Sequence, residues 1–422
     1  MKILVLSNLY PPDVVGGYEL GCKQAVDALR SRGHEVRVLT SAPRSPVPVE
    51  PHVDRMLKLT DLYSYYANVH TAPATLRLWE AEAAGFNSFN IHILTKTLAE
   101  FQPDIVYIWL ILGIGGLGIL ATLEHLRVPW VWHLMDAAPL MLCRSADRLI
   151  PGLVREVDRQ LKGTFLACSS RVVEEIEAGG IRLRPNLEVV QNWITGERPA
   201  PRQSYYKGGH LRIVSAGQIA HHKGVGILIE AARLLLERGL RDFELDIYGQ
   251  VPDAEFPSLA RMYGLEDHVR FRGPRSQAEL ARLFRKYDVF AFPTWAREPF
   301  GFAPLEAGAQ GCVPLISQVC GISEWLIHGV DCLKISRTAR GFSHALEAIH
   351  AGKVDLEPLG KRIEAVAWRD FHISTLMPRI ERALNQAAQQ SRVGAGTTAE
   401  IYRMAVLAER LSQTIVQEPF CA

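Results

Sequence analysis

Glu298 and Glu306 stand with seven residues between them in the run Phe292-Pro293-Thr294-Trp295-Ala296-Arg297-Glu298-Pro299-Phe300-Gly301-Phe302-Ala303-Pro304-Leu305-Glu306-Ala307. A carboxylate accepts hydrogen bonds and repels phosphate, so this pair suits the hydroxyls of a sugar and a ribose. The apolar run 289–292 predicts a buried strand, which Pro293 ends because proline cannot donate to a ladder. Pro304 is tolerated in the first turn of a helix, which places Glu306 in the first turns of that helix. The N–H groups of Gly301 and Phe302 would then point out of its N-terminus, where an anion binds readily. The plain reading of the same residues is a solvated Glu298 and a favourable N-terminal helix charge at Glu306.

A second stretch could hold phosphate. The segment 211–215 predicts a strand running into Ala216-Gly217-Gln218-Ile219-Ala220-His221-His222-Lys223-Gly224. Strand, turn and a lysine at the start of a helix form a cradle in which the ammonium meets a diphosphate as a mobile point charge. The Walker A pattern is absent from this stretch, and the Gly16-Gly17 pair of the first loop is not a G-x-G-x-x-G fingerprint, so no nicotinamide cofactor is expected.

Together these stretches resemble the retaining glycosyltransferases of family 4, which have the GT-B fold. The matching features are Glu298 and Glu306 in Glu-x7-Glu spacing, the Phe300-Gly301 pair, the helix after it, and Gly217 followed by Lys223-Gly224. The resemblance implies Lys223 on the donor diphosphate, Glu306 on the ribose and Glu298 on the transferred sugar. Many members carry an arginine directly after the first glycine of the cradle, where this chain has Gln218, a donor without charge. It also implies that Gly16 and Gly17 lie near the donor phosphates and the acceptor, and that His133 reaches the transferred sugar. Asp136 is expected to orient that histidine, and Asn192 matches an asparagine at the connection between domains. Cys320-Gly321 stands where the family often has two glycines; it is a simple turn or a backbone contact to the donor.

The positioning elements follow from periodicity. Strand 2–7, a loop with Gly16 and Gly17, helix 18–32 closed by Gly33, and strand 34–40 make a βαβ unit and predict a parallel sheet. The glycine pair sits at the carboxyl end of the first strand, where open α/β sheets bind ligands. Residues 41–75, with Tyr63, Tyr65 and Tyr66, are expected to be irregular. Strand 104–109, a glycine loop, a helix to 127 and strand 129–133 lead to His133. A mixed-charge helix is expected over 144–162, then strands at 164–169 and 187–190. Proline, glycine and charge over 196–210 mark a linker. In the second half, strands are predicted at 243–248, 269–271, 289–292 and 313–316, with helices at 226–238, 256–264 and 277–287. A long helix is predicted over 368–388 and an amphipathic one over 400–416.

Composition bounds the rest. The chain has 422 residues, 48% hydrophobic and 22% charged, as in a globular protein of two to three domains. A net charge of +2 gives no basis for a nucleic-acid partner. The seven cysteines form no C-x-x-C pair, so no zinc site is expected, and reduced thiols in the cytosol fit the odd count. The stretch 105–120 is too short and glycine-broken to span a membrane, while peripheral contact at its inner face stays open.

The expected fold is α/β: GT-B, with two Rossmann-like parallel-sheet domains facing a central cleft. Residues 1–195 would form the acceptor domain, 196–210 the linker, 211–367 the nucleotide-sugar domain, 368–388 a helix crossing back and 389–422 a tail. The expected activity is retaining transfer of a sugar from a nucleotide-diphosphate sugar to a hydroxyl of a glycan, lipid-linked or small-molecule acceptor. No cofactor and no metal are expected, since the chain lacks a D-x-D motif. The rivals are a nucleotide-sugar epimerase, a phosphorylase using pyridoxal phosphate, and a catalytically silent nucleotide-sugar-binding protein on the same fold.

Overall fold

The computed structural model describes residues 1–43, 45–60, 81–149, 160–251 and 254–390. They form two compact units. One holds residues 1–168 and 172–190 together with the chain from Met377 on, and the other holds 169–171 and 191–376.

The first unit is built on a seven-stranded sheet. Its strands are β1 (Lys2–Leu6), β2 (Glu35–Ser41), β3 (Val53–Leu57), β4 (Ile105–Ile108), β5 (Trp130–Leu134), β6 (Gln160–Ala167) and β7 (Arg182–Val189). Their order is β3-β2-β1-β4-β5-β6-β7, and every pairing is parallel. Crossover helices follow the strands, among them Gly17–Ser31, Ser88–Phe101 and Gly116–His125. β4 and β5 are buried along their whole length, as strands covered on both faces must be.

The second unit carries a six-stranded parallel sheet in the order β10-β9-β8-β11-β12-β13. These strands are β8 (Leu211–Ala216), β9 (Phe243–Tyr248), β10 (Val269–Gly273), β11 (Val289–Phe292), β12 (Val313–Ser317) and β13 (Leu333–Ile335). Its core joins Ile213, Ile247, Ala291 and Leu315 to Leu228, Ile229 and Phe342 from the covering helices.

Several expectations are corrected. β3 lies within the stretch read as irregular; Tyr63, Tyr65 and Tyr66 fall outside the described residues. Of the charged helix expected over 144–162, residues 144–149 end the helix Ala138–Leu149, residues 150–159 fall outside the described residues, and by Gln160 the chain is strand, paired with Arg182 of β7. β7 begins at Arg182, earlier than predicted, because that ladder is eight residues long. The helix predicted over 368–388 is two helices, Leu356–Asp370 and Ile373–Gln389. Between them the backbone of Ile194 accepts from Ile373 N–H at 3.0 Å and donates to Phe371 O at 2.8 Å, taking bonds that a continuous helix would need. The helix predicted over 400–416 falls outside the described residues.

From Met377 on, the last described helix belongs to the first unit. Arg32 grips Glu381 with two bonds of 2.7 Å, His34 Nε2 lies 2.8 Å from the same carboxylate, and Arg379 donates to Glu188 at 2.8 Å. Forked arginine–carboxylate pairs of this kind fix orientation as well as contact.

The segment read as a linker is anchored. Arg202 is 7% exposed, and its guanidinium donates to Ser204 O, Tyr287 O, Gly311 O and Asp288 Oδ1 at 2.7, 2.6, 3.3 and 3.3 Å. Removing it would leave three carbonyls without their donor and Asp288 with Arg212 as its remaining guanidinium. Arg202→Ala is expected to cost about 3 kcal/mol of stability in urea unfolding, from the buried carbonyls it leaves unsatisfied; a loss below about 1 kcal/mol, the scale of a surface pair, would show that this anchor is dispensable.

Candidate active site

In the second unit the site grows from the carboxyl end of β11. Pro293 ends the strand, and Thr294, which is fully buried, donates from Oγ1 to Glu298 Oε2 at 3.0 Å. Lys223 Nζ donates to the same oxygen at 2.5 Å. Glu298 is 8% exposed, so its charge is largely withdrawn from water and needs this cation. Lys223 ends a short 3-10 turn, His221–Lys223, in the loop after β8, and Gly224 caps the helix Val225–Glu237.

Two glycines make the close packing possible. Gly224 has φ +79°, and a Cβ there would lie 2.2 Å from Pro293 O. At Gly321 a Cβ would lie 1.9 Å from Pro299 O, while Gly321 N–H donates to Glu298 O at 3.0 Å. The backbone after β12 therefore rests directly on the Glu298 loop. Cys320 beside it is buried, and burial pushes its thiol up to about 12, which removes it as a nucleophile.

Gly301 is the residue before the helix Phe302–Gly308, with φ +110°, and Phe302 is the first residue of that helix. Glu306 lies on this helix, and its Oε1 accepts from Gln277 Nε2 at 2.5 Å. Burial raises the Glu306 pKa, with Gln277 opposing. Gln218 is exposed in the loop after β8. Lys223, Glu298, Gly301, Phe302 and Glu306 thus share one unit, on segments leaving β8 and β11.

The other predicted residues lie in the first unit. Gly16, exposed, precedes the helix Gly17–Ser31, and Glu19 Oε2 accepts from Gly16 N–H at 2.9 Å and Val15 N–H at 3.2 Å. This one-way cap from Glu19 holds the glycine loop, and its signal was the glutamate at the third helical position.

His133 sits at the end of β5 and is fully buried. Its ring stacks on Trp109 at 4.5 Å between centroids, and Nδ1 lies 2.6 Å from the Tyr107 hydroxyl. Register explains the cluster: Ile108 pairs with Trp132, so Trp109 and His133 are neighbours one step further on. Burial lowers the His133 pKa to about 3, so the ring is neutral at ordinary pH. Asp136 was expected to orient it, yet the group on Nδ1 is Tyr107. Asp136 Oδ1 instead accepts from Ala138 N–H at 2.8 Å, and burial pushes this carboxyl up to about 6. Nothing in the sequence pairs Tyr107 with His133, because the partnership arises from strand adjacency.

Two nucleotide-fold sheets in one chain, with a lysine turn and paired glutamates on the second, define a GT-B glycosyltransferase. Comparison with known proteins agrees. The family model described as "Glycosyl transferase 4-like domain" matches residues 16–193, and "Glycosyl transferases group 1" matches residues 198–361. The chain belongs to the group 1 glycosyltransferases and is a transferase enzyme. It is 27% identical over 370 residues to glycogen synthase of Mycobacterium tuberculosis, covering 83% of this chain and 86% of that one. To the D-inositol 3-phosphate glycosyltransferase of Pseudarthrobacter chlorophenolicus it is 26% identical over 368 residues, with 81% and 84% covered. Among solved structures, sucrose-phosphate synthase from Thermosynechococcus elongatus superposes with TM-score 0.68 at 17% identity, covering 91% and 98%. Anabaena HepE in complex with UDP and glucose gives 0.64 at 18% identity, covering 92% and 100%. No helix among the described residues is long and apolar enough to cross a membrane.

The two buried groups of the first unit predict opposite responses to pH. Below its ordinary 6.5 the unfolded chain protonates His133 while the fold refuses the proton, so this group makes stability rise with pH up to that point. Above 3.8 the unfolded chain releases the Asp136 proton that the fold keeps to about 6, so this group makes stability fall over that window. Between about pH 4 and about pH 6 the two oppose each other. In urea unfolding across that range, Asp136→Asn should become more stable as pH rises relative to the parent, and His133→Asn less. Parallel pH profiles for the two variants would contradict the assignment.

Proposed function

We propose that this glycosyltransferase moves a sugar from a nucleotide-diphosphate sugar to a hydroxyl acceptor, with retention of anomeric configuration and without a metal ion. The observation that carries the reading is the Lys223–Glu298 contact of 2.5 Å beside a helix N-terminus whose helix bears Glu306. One cation, one set of amide donors and two carboxylates are what a diphosphate flanked by two polyols requires.

Lys223 turns from Glu298 to the diphosphate as donor enters, and the helix N-terminus at Gly301 and Phe302 adds partial positive charge. Glu298 then accepts from sugar hydroxyls and Glu306 from ribose hydroxyls, which holds the donor near reactive geometry. The bond from the anomeric carbon to the phosphate oxygen breaks with its electron pair going to the phosphate. The acceptor oxygen bonds to the same face of that carbon, and its proton passes to the departing phosphate oxygen. Gly16, Gly17 and His133 belong to the acceptor and sugar side. The neutral His133 ring serves as a hydrogen-bonding group, since a pKa near 3 leaves no proton to give at neutral pH. Gln218 would hydrogen-bond the diphosphate without charge.

HepE has been seen with UDP-glucose, which supports a nucleotide sugar as donor here. The relatives' names, a glycogen synthase and an inositol-phosphate glycosyltransferase, support acceptors that are polymeric glycans or small polyols.

Lys223→Ala and Glu306→Ala should each lower donor turnover by about a hundredfold or more while the thermal transition stays cooperative. Wild-type turnover in both would remove the assignment. In a screen of UDP-, GDP- and ADP-sugars, the true donor should raise the melting temperature most, since it binds only the folded chain. Loss of turnover in EDTA would refute metal independence.

A further inference from the structure

We propose that Arg337 is a positioning residue for the donor phosphate site: its guanidinium ties the Lys223 turn to the end of β11 and so sets where the Lys223 ammonium stands. This rests on the reading of Lys223 as the diphosphate cation.

Arg337 stands two residues beyond the end of β13. The next residue, Thr338, caps the helix Ala339–His350 by accepting from Gly341 N–H at 3.0 Å, so the backbone here is fixed from both sides. The half-buried side chain reaches two separate segments. Nε donates to Pro293 O at 3.0 Å, and Nη2 donates to His221 O and His222 O at 3.2 Å each. Pro293 is the last residue before the loop that carries Glu298. His221 and His222 are the two residues before Lys223.

Three carbonyl oxygens converging on one place repel one another unless a cation stands among them. A guanidinium offers a planar fork of donors that can serve diverging acceptors at once, whereas an ammonium is a compact point charge. The other ties between these segments depend on the same spacing. Trp295 N–H donates to His222 O at 3.1 Å, and Gly224 approaches Pro293 O too closely for any side chain. The distance between the lysine turn and the strand end thus fixes the reach of Lys223 toward its partner. That reach matters more in this chain because position 218 is glutamine, which leaves Lys223 to supply the full charge on its side of the diphosphate.

The test uses the full chain. UDP, GDP and ADP are titrated calorimetrically against wild type, Lys223→Ala, Arg337→Ala, Arg337→Lys and the Lys223→Ala/Arg337→Ala double variant, with urea midpoints recorded for each. The expected result is that both Arg337 variants weaken the diphosphate that wild type binds by about tenfold or more. In the Lys223→Ala background, Arg337→Ala should weaken it no further, because its effect passes through the lysine. Arg337→Lys keeps the charge and carries the test if Arg337→Ala fails to fold. Wild-type affinity in Arg337→Lys, or the same weakening with and without Lys223, would overturn the proposal and leave Arg337 a purely structural residue. A Lys223→Ala variant that binds as tightly as wild type, or a wild type that binds none of the three, would remove the donor reading beneath it and the proposal with it.

Discussion

A carboxylate that is 8% exposed needs a cation, and the geometry of the second unit follows from supplying one to Glu298. The ammonium of Lys223 comes from the turn after β8, the carboxylate from the loop after β11, and Thr294 adds a hydroxyl to the same oxygen. Parallel order places β8 beside β11, so both turns leave the same edge of the sheet. The contact then demands backbones closer than side chains permit. Gly224 against Pro293 and Gly321 against Pro299 meet that demand.

The units solve different problems with the same sheet plan. Around His133 the first unit excludes water with Trp109, Tyr107 and Tyr18, and the buried histidine stays neutral. The second unit retains charge at its strand ends, where Lys223, Glu298 and Arg337 each find partners within one network of carbonyls and carboxylates.

Much of the fold was legible because central strands of parallel sheets are short apolar runs between turn residues. β9 and β11 lie where their sequences predict, at Phe243–Tyr248 and Val289–Phe292. The strands that escaped, β3 and β13, are both at sheet edges. β3 reads Val-Asp-Arg-Met-Leu and β13 has three residues, so neither shows a period or an unbroken apolar run. The break at Phe371 escaped for a different reason: no proline or glycine marks it, and the backbone of Ile194, distant in sequence, takes the bonds. At the site, Lys223, Glu298 and Glu306 were singled out by the resemblance of their stretches to the family, and all three lie in the second unit. Tyr107, Thr294 and Arg337 were not singled out, since each acts through a partner brought near by the sheet.

Local order in the chain was enough to determine two α/β halves, a lysine-bearing turn, a glutamate pair astride a helix start, and the family that shares them. These are properties of neighbouring residues, which periodicity and spacing record. The tertiary structure alone decided that Lys223 meets Glu298, that Tyr107 and not Asp136 holds His133, and that Arg337 binds the lysine turn to β11. Such pairings join residues far apart in sequence, and they exist only once strand order has set which ends of the sheet lie side by side.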